Sequence, residues 1–332
     1  MKVLVIGNCA IDRSFRLSRL PAAGETVLAD GSSDDIGGKG ANQAVAAARA
    51  GAAVILCSAI GRDEDGARMK SRLCAESVRT EFVFERDGRT DQSVVLVATS
   101  GENCIVSSHE MARSIGPEAA ADALATLEAG DILLMQGNLP RRTTEHCLRE
   151  GRRRGTLVVL NPAPIAFPYS QLWELVDIVV ANEVESRTLT GDGDPIAGAR
   201  TLLGRGPKLV VTTLGRMGAV VVGNNRDYRI PAPQVGVVDT TGAGDVFCGV
   251  FAAGMALDLP AERAVSWAVR AATLSVTRWG TQRAFPTPGE MASLRQSNTE
   301  GELWPIQGGA GPESGGRALG APPASDPEGH IR

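Results

Sequence analysis

The chain has 332 residues, more than one hydrophobic core usually serves, which predicts a large domain with an appendage or a pair of domains. Hydrophobic residues at 43% and charged residues at 22% are ordinary for a globular protein and exclude a fibrous or wholly disordered chain, while 39 glycines predict many tight turns or backbone-lined sites. A net charge of −4 gives no global positive field to attract nucleic acid or an anionic membrane, so neither is expected as a partner.

The N-terminal run Met1-Lys2-Val3-Leu4-Val5-Ile6-Gly7 is too short for a secretory signal and reads as a first strand. Further buried-type runs without polar alternation fall at 54–60, 132–135, 157–160, 178–180 and 209–212. Helical spacing appears between them at 41–50, 117–129, 143–154 and 195–203. Alternating strands and helices with short connections predict an α/β fold with a mainly parallel sheet covered by helices. Cys9, Cys57, Cys74, Cys104, Cys147 and Cys248 form no C-x-x-C pair and are expected as free thiols in a reducing compartment. No run reaches membrane-spanning length, so a cytoplasmic protein is expected.

Two stretches, 14–36 and 78–107, break the rhythm with alternating β-formers, turns and charges. They predict a small inserted β-sheet acting as a lid, the α/β domain then comprising 1–13, 37–77 and 108–295. Residues 296–332 are rich in Gly, Pro, Ser and Glu and read as a disordered tail. There is no repeat of fixed period.

The strongest chemical signal is Asp239-Thr240-Thr241-Gly242-Ala243-Gly244-Asp245, which runs into an apolar helix. Small residues entering a helix leave backbone N–H groups free at the positive end of its dipole, a seat for an anion. A carboxylate in the first turn, Asp245, can take the proton of a hydroxyl that attacks a phosphate held there. Taken alone, the same residues also describe a capped helix behind a tight turn. They are not a dinucleotide fingerprint, because Phe247 occupies the third glycine position. A second signal, Gly37-Gly38-Lys39-Gly40-Ala41-Asn42, lets a backbone approach a polyhydroxylated ligand while Asn42 offers a donor and an acceptor. It lacks Walker A spacing. Asn182-Glu183-Val184-Glu185 fits a helix capping box, Asn161-Pro162-Ala163-Pro164 a strand end that shapes a loop, and Arg152-Arg153-Arg154 a solvated helix end. His109, His146 and His330 have no neighbours at metal-ligand spacing, so no zinc site is expected.

Taken in order, these motifs together with Thr213-Leu214-Gly215-Arg216-Met217-Gly218, Asp12 and Gly24-Glu25-Thr26 resemble the ribokinase-like PfkB family of carbohydrate kinases over residues 3–286. The resemblance implies a three-layer α/β/α kinase domain with a β lid, and transfer of the ATP γ-phosphoryl group to a primary hydroxyl of a small sugar, D-ribose first. It implies Asp245 as catalytic base and Gly242, Ala243 and Gly244 as the anion hole. Asp12, Gly38, Lys39, Asn42 and Asn138 would contact the sugar, and Asn182, Thr213, Gly215, Gly218 and Gly244 the nucleotide. Glu185 would act indirectly on Mg2+ carried with ATP, and Asp239, Thr241, Ser275 and Gly280 would hold an activating K+. A homodimer through the lid is implied as well.

Three positions depart from ribokinase proper: Ala10 stands in place of Asn, Asn138 in place of Glu, and Glu110-Met111-Ala112 in place of Gly-Ala-Asn. A site that reads hydroxyls by hydrogen bonds changes preference when donors and acceptors change, so another pentose, a ketose, a sugar acid or a nucleoside stays open as acceptor. A sugar-binding protein without catalysis is a third reading, against which the intact Asp245 and its glycines argue.

Overall fold

The computed structural model describes residues 1–100, 103–223, 227–296 and 304–305. The chain opens with β1 (Lys2–Ile6), then β2 (Ala10–Leu17) and β3 (Gly31–Gly37), before α1 (Lys39–Arg49) and β4 (Ala53–Gly61). It continues through α2 (Glu64–Ala75), β5 (Val78–Arg86), β6 (Gln92–Ala98), β7 (Asn103–Ser107), α3 (Glu110–Arg113) and α4 (Pro117–Ala125). Next come β8 (Ile132–Gln136), α5 (Arg141–Arg153), β9 (Leu157–Asn161), β10 (Ile178–Asn182), α6 (Glu183–Thr190), α7 (Pro195–Leu203) and β11 (Leu209–Thr213). The last part holds β12 (Ala219–Gly223), β13 (Asp227–Ile230), α8 (Ala243–Ala256), α9 (Ala261–Ser275), α10 (Pro288–Gln296) and β14 (Trp304–Pro305).

Ten strands form the main sheet in the order β14-β13-β12-β11-β10-β9-β8-β1-β4-β5. The pairs from β11 through β5 are parallel, whereas β12, β13 and β14 add antiparallel strands at one edge. The pleat divides each buried strand between two cores. Val3 and Val5 pack with α1, α8 and α9, whereas Leu4 and Ile6 pack with α4, α5 and α7. This accounts for runs without polar alternation: both faces are covered, and each Val or Leu buried there stabilises the fold by roughly 1.5–3 kcal/mol. The expected three-layer fold is thereby observed. No helix among the described residues is long and apolar enough to cross a membrane.

The second sheet has four strands, β3-β2-β6-β7. Its composition corrects the expected boundaries. Residues 78–86 do not belong to it: β5 lies parallel to β4 at the edge of the main sheet, reached by the crossover helix α2. Its alternating burial, which suggested a lid strand, is that of a half-covered edge. The missed helix α2 is marked in sequence by Asp63, whose side chain accepts from the Gly66 amide at 2.8 Å. At the other boundary the small sheet takes Ala10–Arg13 and Gly37 from the expected α/β segment, because β2 and β3 pair from Ala10↔Gly37 onward. Of the expected tail, residues 297–303 and 306–332 lie outside the described residues, and Trp304–Pro305 pairs with β13.

The strand order reverses at β1, which lies between β4 and β8. Ligands of open α/β sheets sit beyond the carboxyl ends of the strands at such a switch point. The chain leaves β1 there directly into the small sheet and returns through Gly37 to the start of α1, so the small sheet overhangs that crevice.

Candidate active site

Helix α8 begins at Gly242, held at φ 76°, a left-handed conformation that favours glycine. A Cβ there would also stand 2.9 Å from the Phe285 ring. The first turn leaves the amides of Gly244 and Asp245 without acceptors inside the helix, and the space beside Gly244 is open. Asp245 follows, 7% exposed. Its Oδ2 accepts from Asn42 Nδ2 and its Oδ1 from Gln43 Nε2, both at 3.0 Å.

Helix α1 reaches this carboxylate because its N-terminus lies on bare backbone. Gly38 has φ 87°, and a Cβ on Gly40 would meet the Gly7 carbonyl carbon at 2.6 Å. The Ala41 amide donates to the Asn8 carbonyl at 3.1 Å. Lys39 makes no hydrogen bond or ion pair among the described residues. The Asp245 carboxylate, outweighing desolvation and aided by Glu185 and Asp12, holds its ammonium above the ordinary lysine range. A cation therefore stands free between three carboxylates, placed for an anionic or hydroxylated ligand.

Asp12 enters from β2. Burial pushes its carboxyl up to about 6, hydrogen bonds with Ser93 and Thr281 oppose the rise, and the charges of Asp245 and Asp35 add to it. Thr281 Oγ1 donates to Asp12 Oδ2 at 3.1 Å. Asn138, beyond β8, donates to Asn8 Oδ1, and its own Oδ1 is buried without a partner among the described residues. The six residues expected around the sugar, Asp12, Gly38, Lys39, Asn42, Asn138 and Asp245, thus gather at one end of the sheet beneath the small sheet. Of the departures, Ala10 is fully buried, whereas Met111 and Ala112 are buried in the core with their amides on the Asp91 carboxylate, at 3.2 and 3.0 Å. That segment serves packing.

On the far side of Gly244 lies a cavity of about 380 Å³ lined in part by Thr213, Gly215 and Gly218. Val235, Val237, Val269, Thr273 and Val276, which carry no motif, complete its largely apolar wall. Asn182 and Glu185 form a complete capping box: Asn182 Oδ1 accepts from the Glu185 amide at 2.8 Å, and Glu185 Oε2 from the Asn182 amide at 2.9 Å. The local description of this motif as a capping box holds, and Glu185 also acts electrostatically on Lys39. Asp239 accepts from the Thr241 amide at 2.9 Å and the Gly280 amide at 3.1 Å, and its own amide donates to the Val276 carbonyl beside Ser275. The 239–241 turn, the end of α9 and the loop at 280 are joined there. A larger open groove of about 810 Å³ between α4 and α5, lined by Arg141, Arg142 and Arg149, collects none of the expected residues.

Sequence reasoning missed Gln43, Gln136 and Gln282, all fully buried. The available signal was an amide inside the otherwise apolar run Ala41–Ala48, next to Asn42.

Free amides at the start of α8 with a carboxylate beside them, a polar crevice on one side and an apolar cavity on the other, set on a doubly wound sheet, fit a phosphotransferase. The chain belongs to the pfkB family of carbohydrate kinases, whose profile matches residues 1–288. It is 35% identical to the ribokinase of Bacillus subtilis over 295 residues, which span 88% of this chain and 98% of that one. Among solved structures it matches the ribokinase of Thermotoga maritima with a TM-score of 0.80 at 29% identity, covering 88% of this chain and 98% of the other. A ribokinase of Arabidopsis thaliana complexed with ribose and ATP matches with a TM-score of 0.78 at 25% identity, covering 90% and 99%. The protein is accordingly a phosphotransferase that acts on a sugar hydroxyl.

Proposed function

We propose that this kinase transfers the γ-phosphoryl group of ATP to the primary hydroxyl of D-ribose, with Asp245 as base. The observation that carries the reading is the place of Asp245, in the first turn of α8 between the polar crevice and the apolar cavity. ATP lies with its base against Val235, Val237 and Val276 and its phosphates along Gly215, Gly218 and Gly244. The sugar is held by Asp12, Gly38, Lys39, Asn42 and Asn138. Asp245 accepts the hydroxyl proton, the freed oxygen forms the new bond to γ-phosphorus, and the bond from γ-phosphorus to the ADP oxygen breaks. Lys39 and the Gly242-Ala243-Gly244 turn, with the free amides of Gly244 and Asp245, face the charge that builds on the transferred group. Closure of the small sheet excludes water and suppresses ATP hydrolysis.

Mg2+ arriving with ATP would neutralise charge on the β- and γ-phosphates. Glu185, whose two oxygens are already engaged by Asn182, fits an indirect role toward it through water. Asp239 with the backbone at Thr241, Ser275 and Gly280 offers hard oxygen donors, which fit a K+ ion beside the cradle. A homodimer through the small sheet is supported by Val94 and Val106, paired across β6 and β7 and both exposed. Free cysteines among the described residues support a reducing cytoplasmic setting.

The test is ADP release from magnesium-ATP with K+ across a panel of pentoses, ketoses, sugar acids and nucleosides. Ribose-dependent turnover that falls on the order of 10²- to 10⁴-fold in Asp245→Asn is expected. Turnover with another acceptor alone reassigns the substrate, and near-normal activity in Asp245→Asn removes the base from the mechanism.

A further inference from the structure

Asp245 stands at the meeting point of two chains of buried amides. In one, Gln282 Nε2 donates to Asn42 Oδ1 at 3.0 Å and Asn42 Nδ2 donates to Asp245 Oδ2 at 3.0 Å. In the other, Gln136 Nε2 donates to Gln43 Oε1 at 2.8 Å, and Gln43 Nε2 donates to Asp245 Oδ1 at 3.0 Å and to Asn161 Oδ1 at 3.3 Å. Each chain ends in an N–H donor on the carboxylate, and Gln43 donates to Asn161 as well.

That polarity has a fixed origin. Asn161 Nδ2 donates to the Val180 carbonyl of β10 at 2.9 Å, and a backbone carbonyl can only accept. Asn161 must then turn its oxygen to Gln43, so Gln43 must turn its nitrogen there and to Asp245, and its oxygen faces Gln136. Reversing any of these buried amides would put oxygen against oxygen or nitrogen against nitrogen. The Asn-Pro-Ala-Pro segment, which carries no chemistry in the reading above, thereby supplies the anchor.

We infer that Gln43, anchored by Asn161 and Gln136, is a positioning residue that fixes the plane of the Asp245 carboxylate for proton abstraction. Gln43, Gln136 and Gln282 have no exposed surface, so they touch neither sugar nor nucleotide and act only through Asp245 and Asn42. Two N–H donors, one on each oxygen, hold the carboxylate in a single orientation. The ionisable groups around Asp245 are Asp12 on β2, Lys39 on α1, Cys248 one turn along α8 and Glu185 on α6. Each is present in every variant below, and kcat measured at saturating sugar separates Asp245 from the effect of Asp12 on sugar binding.

The inference rests on Asp245 as base, and the test keeps the two apart. With the full chain, magnesium-ATP and the best acceptor of the panel, Gln43→Met should lower kcat on the order of 10- to 100-fold. It should leave the KM for ATP within about twofold. Gln43→Glu, which places a second carboxylate against Asp245, should lower kcat further. Gln136→Met should show a smaller loss of kcat, and the double variant with Gln43→Met should be no slower than Gln43→Met alone. Thermal melts establish that each variant is folded, and Gln43→Glu retains the shape of the side chain should Gln43→Met fail to fold. An unchanged kcat in either folded Gln43 variant overturns the relay while an inactive Asp245→Asn leaves the base in place. Activity in Asp245→Asn overturns the base itself.

Discussion

Asp12 makes sugar binding sensitive to pH in a window that its surroundings define. With its carboxyl raised to about 6 in the free protein, the acid form dominates at pH 5 and the carboxylate at pH 7. Sugar hydroxyls donate to the carboxylate, whereas the acid form must place its own proton, and Thr281 Oγ1 already occupies Oδ2. Protonation therefore competes with the sugar. For a group titrating at about 6, the competition weakens binding roughly 11-fold at pH 5 and about 1.1-fold at pH 7, a difference of about 1.4 kcal/mol. Calorimetric titration with the acceptor sugar from pH 5 to 8, without nucleotide, reads the effect directly. Asp12→Asn should bind weakly with no dependence in this window. A flat affinity from pH 5 to 7 in the unchanged protein, or the same slope in Asp12→Asn, refutes the reasoning. Stability runs the other way. Between the ordinary value of 3.8 and about 6 the folded state holds a proton that the unfolded chain does not, so stability rises as pH falls through that window. The full effect is at most ~3 kcal/mol, and Asp12→Asn should raise the melting temperature at pH 7 more than at pH 5.

Gly249→Ala should destabilise the fold by about 1–3 kcal/mol and also slow turnover, because the new Cβ would stand 2.4 Å from the Gln43 carbonyl oxygen and 2.7 Å from the Ala46 Cβ. A denaturant melt at unchanged stability would contradict the close approach of α1 and α8. Arg49→Met should cost about 3 kcal/mol. It leaves the Glu76 carboxylate, held low by the Arg49 guanidinium at 2.7 Å, with only the more exposed Arg72 at 3.2 Å, and frees the carbonyls of Gln282 and Phe285. Because that carboxyl is depressed, its contribution is present above the ordinary carboxylate range and lost as pH falls through the folded value, so the penalty of Arg49→Met should shrink in acid. A penalty that is the same at neutral and acid pH would refute the assignment. Replacing K+ by Na+ should lower kcat while a variant with Asp239→Asn loses the distinction between the two ions, as read from initial rates.

Much of the architecture was legible because its signals are local. Strands buried on both faces read as continuous apolar runs, and most helices announced themselves by spacing or, at Asn182, by a capping box. Where the reading failed, the deciding partner was near in space but distant along the chain. The strand at 78–86 alternates like a lid strand, and only its pairing with β4 assigns it to the main sheet. Glu110-Met111-Ala112 stands at a sugar-reading position in the resemblance, yet two of its residues are spent on the core and on Asp91.

The candidate site divides in the same way. Gly242, Gly38 and Gly40 were readable from sequence alone, because positive φ or contact with bare backbone leaves no room for another residue. Asp245 was legible as a carboxylate in the first turn of a helix. What the sequence could not express was how that carboxylate is held: Gln43 lies 202 positions away and Gln282 meets Asn42 across 240. Those contacts exist because α1 and α8 lie against one face of the same sheet and approach at Gly249, and because Asn161 ends a strand beside them. Local conformational preferences are a property of neighbouring residues and survive in the sequence. The direction of a buried hydrogen-bond chain depends on which backbone carbonyl it starts from, and only the packed tertiary structure brings that carbonyl into reach.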